Sequence, residues 1–142
     1  FNWFFNSFFC TTKYKSTHPE MKNLLIVFLG GGVGSIIRYV ISQTFAHPKY
    51  SFPWPTLVAN FLGCLIIGIL LGLAIRNDSA RSELYLFAVV GFCGGLTTFS
   101  TFSAESLHLI KSGNLLSFFI YTALSIISGL SAVVVGNFLV KF

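Results

Sequence analysis

The sequence predicts an all-α membrane protein built from four transmembrane helices, the third of them broken. Three observations carry that prediction. Only 9% of the 142 residues are charged and 54% are hydrophobic, against roughly 25% charged in a soluble domain. The charges leave clear windows at Tyr50 to Ile75, Leu84 to Ala104 and Ser112 to Val140, and a further window, Leu24 to about Phe45, is interrupted only by Arg38. Each is long enough to cross the hydrocarbon core, which takes about 20 apolar residues. Finally, Gly91, Gly94 and Gly95 fall in the middle of the third window, where a continuous helix is disfavoured. A disordered or nucleic-acid-coating chain is excluded, and from residue 22 onward no length remains for a separate soluble catalytic domain.

The first span, about 23–45, ends ahead of His47-Pro48 because proline disfavours helix in the residue before it. The connector to Pro55 is rich in proline and aromatics, placing Tyr50 and Trp54 at headgroup level. The second span covers about 54–75, with Pro55 tolerated in a first turn whose N–H groups lack helical partners. Arg76 to Arg81 forms a polar loop, the third span covers about 83–107, and Lys111-Ser112-Gly113 turns the chain into a fourth, about 114–140. An even number of spans puts both ends on one side. Lys22, Arg76, Arg81 and Lys141 fall on that side, Lys49 and Lys111 on the other, with Arg38 nearer the latter. This weak bias toward cytoplasmic termini makes insertion in both orientations conceivable, and the net charge of +5 reads as interfacial Lys and Arg.

Residues 1–20 lack the basic-then-apolar order of a signal peptide and precede Met21-Lys22-Asn23, a plausible natural start. They read as a non-native or upstream extension, the alternative being an aromatic-rich interfacial segment. Cys10, Cys64 and Cys93 have no metal or disulfide spacing, and the last two read as small core residues.

Gly30-Gly31-Gly32-Val33-Gly34-Ser35 superficially resembles a dinucleotide fingerprint, but no strand precedes it, Ile37 stands where the third glycine belongs, and no acid follows at the required distance. Close helix packing is the better reading. Arg38, one turn on, either serves a watery vestibule or snorkels to the interface. In the third span, a break would free backbone groups that cannot face lipid, and carbonyls around it suit a hard monovalent cation such as Na⁺. Phe99 and Phe102 share a face beyond the break, and ring edges can stabilise an anion. Ser100, Thr101 and Ser103 add hydroxyls. In the second span Thr56 and Asn60 lie one turn apart, the carboxamide able to donate to an anion. Tyr121, Ser125 and Ser128, with Thr122 beside them, form a candidate polar track in the fourth span, unless the hydroxyls bond back to their own helix. Small residues at Gly68 and Gly72, and at Ser125 and Gly129, suit close helix packing, either within one chain or between copies in an oligomer. No metal pair, catalytic triad or activated cysteine can be assembled, so the chain does not read as an enzyme. Glu105 is the one acid deep in a span.

GGGVGSIIRY at 30–39, TLVANFLGCLIIG at 56–68 and GFCGGLTTFSTFS at 91–103 resemble the signature blocks of the Fluc/CrcB family of fluoride channels. The resemblance covers about Met21 to Phe142. It implies a plasma-membrane, multi-pass subunit that pairs with a second copy in inverted orientation, an antiparallel dual-topology dimer with two fluoride pores around one central structural Na⁺. A heterodimer with a paralogue is the variant. On this chain the Na⁺ ligands would be the backbone carbonyls of Gly94 and Thr97, and the pore phenyls Phe99 and Phe102. Asn60 would be the amide donor near the rings, Ser100 and Thr101 would follow the same pattern, and Thr56, Tyr121 and Ser125 would line the polar track. Arg38 would sit at a vestibule and Glu105 near the pore. One departure is Gly129, where a hydroxyl is expected one turn after Ser125; Ser128 is the substitute. The function implied is passive fluoride efflux, conferring fluoride resistance. A different class, a small proton-coupled exporter, would need Glu105 as its embedded carboxylate, and a non-transporting assembly subunit would leave the Gly-Thr break and Phe pair unexplained.

Overall fold

The computed structural model describes residues 20–45, 52–77 and 83–140, and among them every regular element is helical. Helix α1 (Met21–Thr44) ends at Phe45, ahead of Pro48 in the sequence. Helix α2 (Trp54–Asn77) carries Pro55 in its first turn, where a missing N–H costs nothing. The third span is a composite. It begins as α3 (Glu83–Tyr85), widens into a π-helical stretch (Leu86–Cys93), tightens into α4 (Gly94–Leu96), and opens at Thr97 and Thr98, both extended. It resumes as α5 (Phe99–Lys111). Helix α6 (Leu115–Leu139) completes the four spans, each long and apolar enough to cross a membrane.

The α5–α6 turn is a Schellman arrangement. Gly113 sits at φ 76°, in the left-handed region that favours glycine; its N–H bonds to the Ile110 carbonyl at 3.1 Å, and the Asn114 N–H to the Leu109 carbonyl at 3.0 Å. The chain then returns antiparallel to α5.

The spans pair off, α1 along the π-helical stretch and α4, and α2 along α6, with α5 resting on α6. In both main pairs glycine sets the distance. A Cβ at Gly34 would overlap the Phe92 carbonyl, one at Gly30 the Phe87 carbonyl, and one at Gly95 the Gly31 carbonyl, so these backbones touch directly. Across α2 and α6, Gly68 meets the Val133 backbone and Gly136 the Leu65 carbonyl. Such contacts gain dispersion and dipole interactions where lipid removes the hydrophobic drive between helices. Small residues, including Ala59, Ala74, Cys93 and Ala132, are buried, whereas Phe28, Leu116, Ile127 and Leu130 are exposed. Small inside and large outside suits a chain solvated by acyl chains, and the protein is a multi-pass membrane protein.

The third span continues to Lys111, past the 107 of the sequence reading, because Leu109 is still buried and the stop signal is Gly113. The break lies at Thr97-Thr98, after the glycines rather than among them: Gly91 and Gly95 stay helical because α1 seats on them, overriding their poor propensity. The close-packing reading agrees with these contacts at Gly30, Gly34, Gly68 and Gly72, but Gly32, where a Cβ would meet open space, and Gly129 differ. A Cβ at Gly129 would meet only the Cys64 sulfur at an ordinary 3.6 Å, and Gly136 makes the close approach instead. Cys93 is buried and Cys64 half-buried. Residues 1–19, with Cys10, and also Lys49, Tyr50, Arg81 and Lys141 lie outside the described residues, as does the side chain of Arg76.

Candidate ion pathway

In a continuous helix the N–H of Thr98 would bond to the carbonyl of Gly94, and that of Thr101 to the carbonyl of Thr97. Neither does. The Thr98 N–H goes across to Asn60 Oδ1 on α2 at 2.7 Å, and the Thr101 N–H goes to Thr98 Oγ1 at 3.2 Å, which makes Thr98 the N-cap of α5. The Thr97 N–H still closes onto the Cys93 carbonyl at 2.9 Å, so the helix ends in order up to that point. Gly94 and Thr97, the two residues whose carbonyls the resemblance nominates for Na⁺, are thus the first and last of the four, Gly94 to Thr97, that lose their helical donors at the break.

Asn60 grips the break from the other side as well. Its Nδ2 donates to the Thr98 carbonyl at 3.2 Å, so one carboxamide bonds to both backbone polar groups of Thr98. Around Thr98 Oγ1 the hydroxyls of Ser100 and Thr101 lie at 3.1 Å each. Next to them, Arg38 Nε donates to the Gly95 carbonyl at 3.1 Å. Its reach follows from Gly34, one turn earlier on α1, lying against the Phe92 backbone.

Glu105 is held at both oxygens. Thr56 donates to Oε1 at 2.8 Å and the buried Tyr121 hydroxyl to Oε2 at 2.7 Å. The buried hydroxyl of Ser125 faces that of Tyr121, and among the described residues neither it nor the buried hydroxyl of Thr122 bonds back to its own helix. Aromatic rings continue the arrangement: Phe99 and Phe102 have centroids 5.7 Å apart, Phe102 and Tyr121 5.1 Å, and Tyr121 and Phe52 5.6 Å edge to face. A cavity of about 330 Å³ opens between α1, α2 and the break, lined by Ser35, Arg38, Tyr39, Thr56, Thr98 and Glu105 among others.

The structure therefore brings Arg38, Thr56, Asn60, Thr101, Glu105 and Tyr121 around one break and one cavity. It places Gly94, Phe99 and Ser100 on the exposed side of the same break, Phe99 being 78% exposed. Within one chain Phe99 faces outward, and of the two rings only Phe102 turns toward the core. Sequence reasoning passed over Thr98, the hub of the hydrogen bonds, although a threonine just ahead of a resumed helix is a cap signal. It also missed Ser35, Tyr39 and Ser42 on the cavity wall, for which no local signal exists because their neighbours come from other spans.

A carbonyl set of this kind is hard-oxygen chemistry that fits a monovalent cation, and the uncharged donors fit a small anion. Residues 25–137 match the family described as CrcB-like protein, Camphor Resistance (CrcB). A protein of Azobacteroides pseudotrichonymphae named fluoride-specific ion channel FluC is 41% identical over 123 residues, covering 86% of this chain and 98% of the relative. Proteins with the same name from Phocaeicola vulgatus and Flavobacterium psychrophilum are 44% and 40% identical, covering 82% and 85% of this chain and 96% and 98% of their own lengths. Four spans, a broken third helix clamped from its neighbours, and similarity along nearly the whole length of these relatives together show that the chain belongs to the CrcB family.

Proposed function

We propose that this protein is a fluoride-selective channel of the plasma membrane that lowers cytoplasmic fluoride by passive efflux. The observation that carries the reading is the break itself: backbone opened in mid-membrane, held by Asn60 and Arg38, and surrounded by hydroxyl donors and phenyl rings. Fluoride is small and strongly hydrated, so it crosses only where hydrogen-bond donors and positive ring edges replace its water. Thr98, Ser100 and Thr101 supply hydroxyls, Phe99 and Phe102 supply ring edges, Arg38 supplies charge at the cavity, and Ser125 adds a donor beyond.

The working unit on this reading is a pair of identical copies in inverted orientation. Gly94, Phe99, Ser100 and Ser103 are exposed beside freed carbonyls in mid-span, a surface that cannot face hydrocarbon and so needs a protein cover. The weak charge bias suits an inverted second copy. The carbonyls of Gly94 and Thr97 from both copies would hold a Na⁺, which would supply a fixed positive charge there. Fluoride release from proteoliposomes holding the purified protein tests the function: release above protein-free vesicles supports it, and none from folded protein refutes it.

The exporter reading through Glu105 has one observation behind it, since this carboxylate lines the cavity. Both its oxygens, however, already accept hydrogen bonds from Thr56 and Tyr121, an arrangement that fixes the group rather than freeing it to alternate partners.

A further inference from the structure

The geometry points to Arg38 as a two-ended positioning residue that couples the carbonyl site to the cavity, an inference that rests on the Na⁺ reading above. Arginine has five N–H donors on a planar fork. One, on Nε, bonds to the Gly95 carbonyl, while the side chain also lines the cavity between α1, α2 and the break. Among the described residues nothing accepts from the four N–H groups on the terminal nitrogens, which leaves them for water or an anion there. Gly95 lies between Gly94 and the Thr97 carbonyl in the chain, so fixing the Gly95 peptide fixes the direction of the carbonyls on either side. Nothing else among the described residues performs this task at Gly95: Asn60 grips the chain only from Thr98 onward. The donor is specific as well. It is the inner nitrogen, set by the Gly34 contact that brings α1 within reach of the break.

Three substitutions separate the two ends. In Arg38→Gln the amide nitrogen is the same number of bonds from Cα as Nε, so a donor remains for Gly95 while the charge is lost. In Arg38→Lys a methylene takes that position and the charge survives. Arg38→Met removes both. The readout is the Na⁺ concentration giving half-maximal thermal stabilisation of the purified protein, with N-methylglucamine balancing ionic strength, followed by fluoride efflux at saturating Na⁺. Arg38→Gln is expected to keep the Na⁺ midpoint within about twofold of the parent, whereas Arg38→Lys and Arg38→Met raise it about fivefold, as one lost hydrogen bond does. Efflux is expected to be faster in Arg38→Lys than in Arg38→Gln. Equal Na⁺ midpoints for Arg38→Gln and Arg38→Lys overturn the Gly95 end, and equal efflux overturns the cavity end. Should Arg38→Met fail to fold, the Gln and Lys pair still decides. A parent protein with no Na⁺ response removes the Na⁺ reading and this inference with it; a clear parental response shared equally by both variants removes the inference alone.

Discussion

The carboxamide of Asn60 and the backbone of Thr98 exchange two hydrogen bonds across the membrane interior, at 2.7 Å into Oδ1 and 3.2 Å out of Nδ2. Removing one partner leaves a buried polar group at a cost of about 1–3 kcal/mol. Asn60→Ala removes both bonds and is expected to destabilise the protein by about 2–4 kcal/mol, read as a lowered unfolding midpoint in detergent, and to abolish efflux. Asn60→Asp keeps the acceptor for the Thr98 N–H, so about half of the stability loss is expected, with conduction still blocked by the added negative charge.

Phe99 and Phe102 are three residues apart on α5, their rings 5.7 Å between centroids, yet only Phe102 packs against Tyr121. Replacing either with Ile keeps bulk and loses the ring edge. Both variants are expected to elute like the parent on gel filtration and to lose at least about tenfold in efflux, the effect of roughly 1.4 kcal/mol on a barrier. Parental flux in both would remove the phenyls from the mechanism.

The Glu105 carboxylate has one donor on each oxygen. Thr56→Val and Tyr121→Phe each leave one oxygen without its partner and are expected to destabilise the protein by about 1–3 kcal/mol. Fluoride flux through the parent and through Glu105→Gln is expected to follow the fluoride gradient with no dependence on an imposed proton gradient. A proton dependence lost in Glu105→Gln would establish the exporter instead.

Glycine positions divide by what a Cβ would meet. Gly34→Ala pushes a methyl into the Phe92 carbonyl and is expected to cost about 1–3 kcal/mol as α1 is forced off the break. The added Cβ of Gly129→Ala meets only the Cys64 sulfur at 3.6 Å, and the stability of that variant is expected to stay within about 0.5 kcal/mol of the parent. Unfolding midpoints of the two variants, measured side by side, check both.

The four spans were legible because lipid leaves charge-free windows in the sequence, and the break because three glycines and a threonine pair interrupt one of them. The π-helical stretch was not: Leu86–Cys93 is plain apolar sequence, and the contacts it makes, Gly30 against Phe87 and Gly91, and Gly34 against Phe92, come from another span. In the site, Asn60 was readable as a buried amide needing partners, but its actual partner, the Thr98 backbone, is distant in the chain. The bond from Arg38 to Gly95 was equally hidden, since carbonyls carry no side-chain signature. The exposed setting of Phe99 depends on what covers the break, which periodicity along one helix does not encode.

The most direct test of the account is paired efflux from the same proteoliposomes, fluoride measured by ion-selective electrode against chloride measured likewise. The account predicts fast fluoride release from the parent protein, chloride release no greater than from empty vesicles, and loss of fluoride release in Asn60→Ala. Chloride release matching fluoride, or undiminished fluoride release in a folded Asn60→Ala protein, would contradict it.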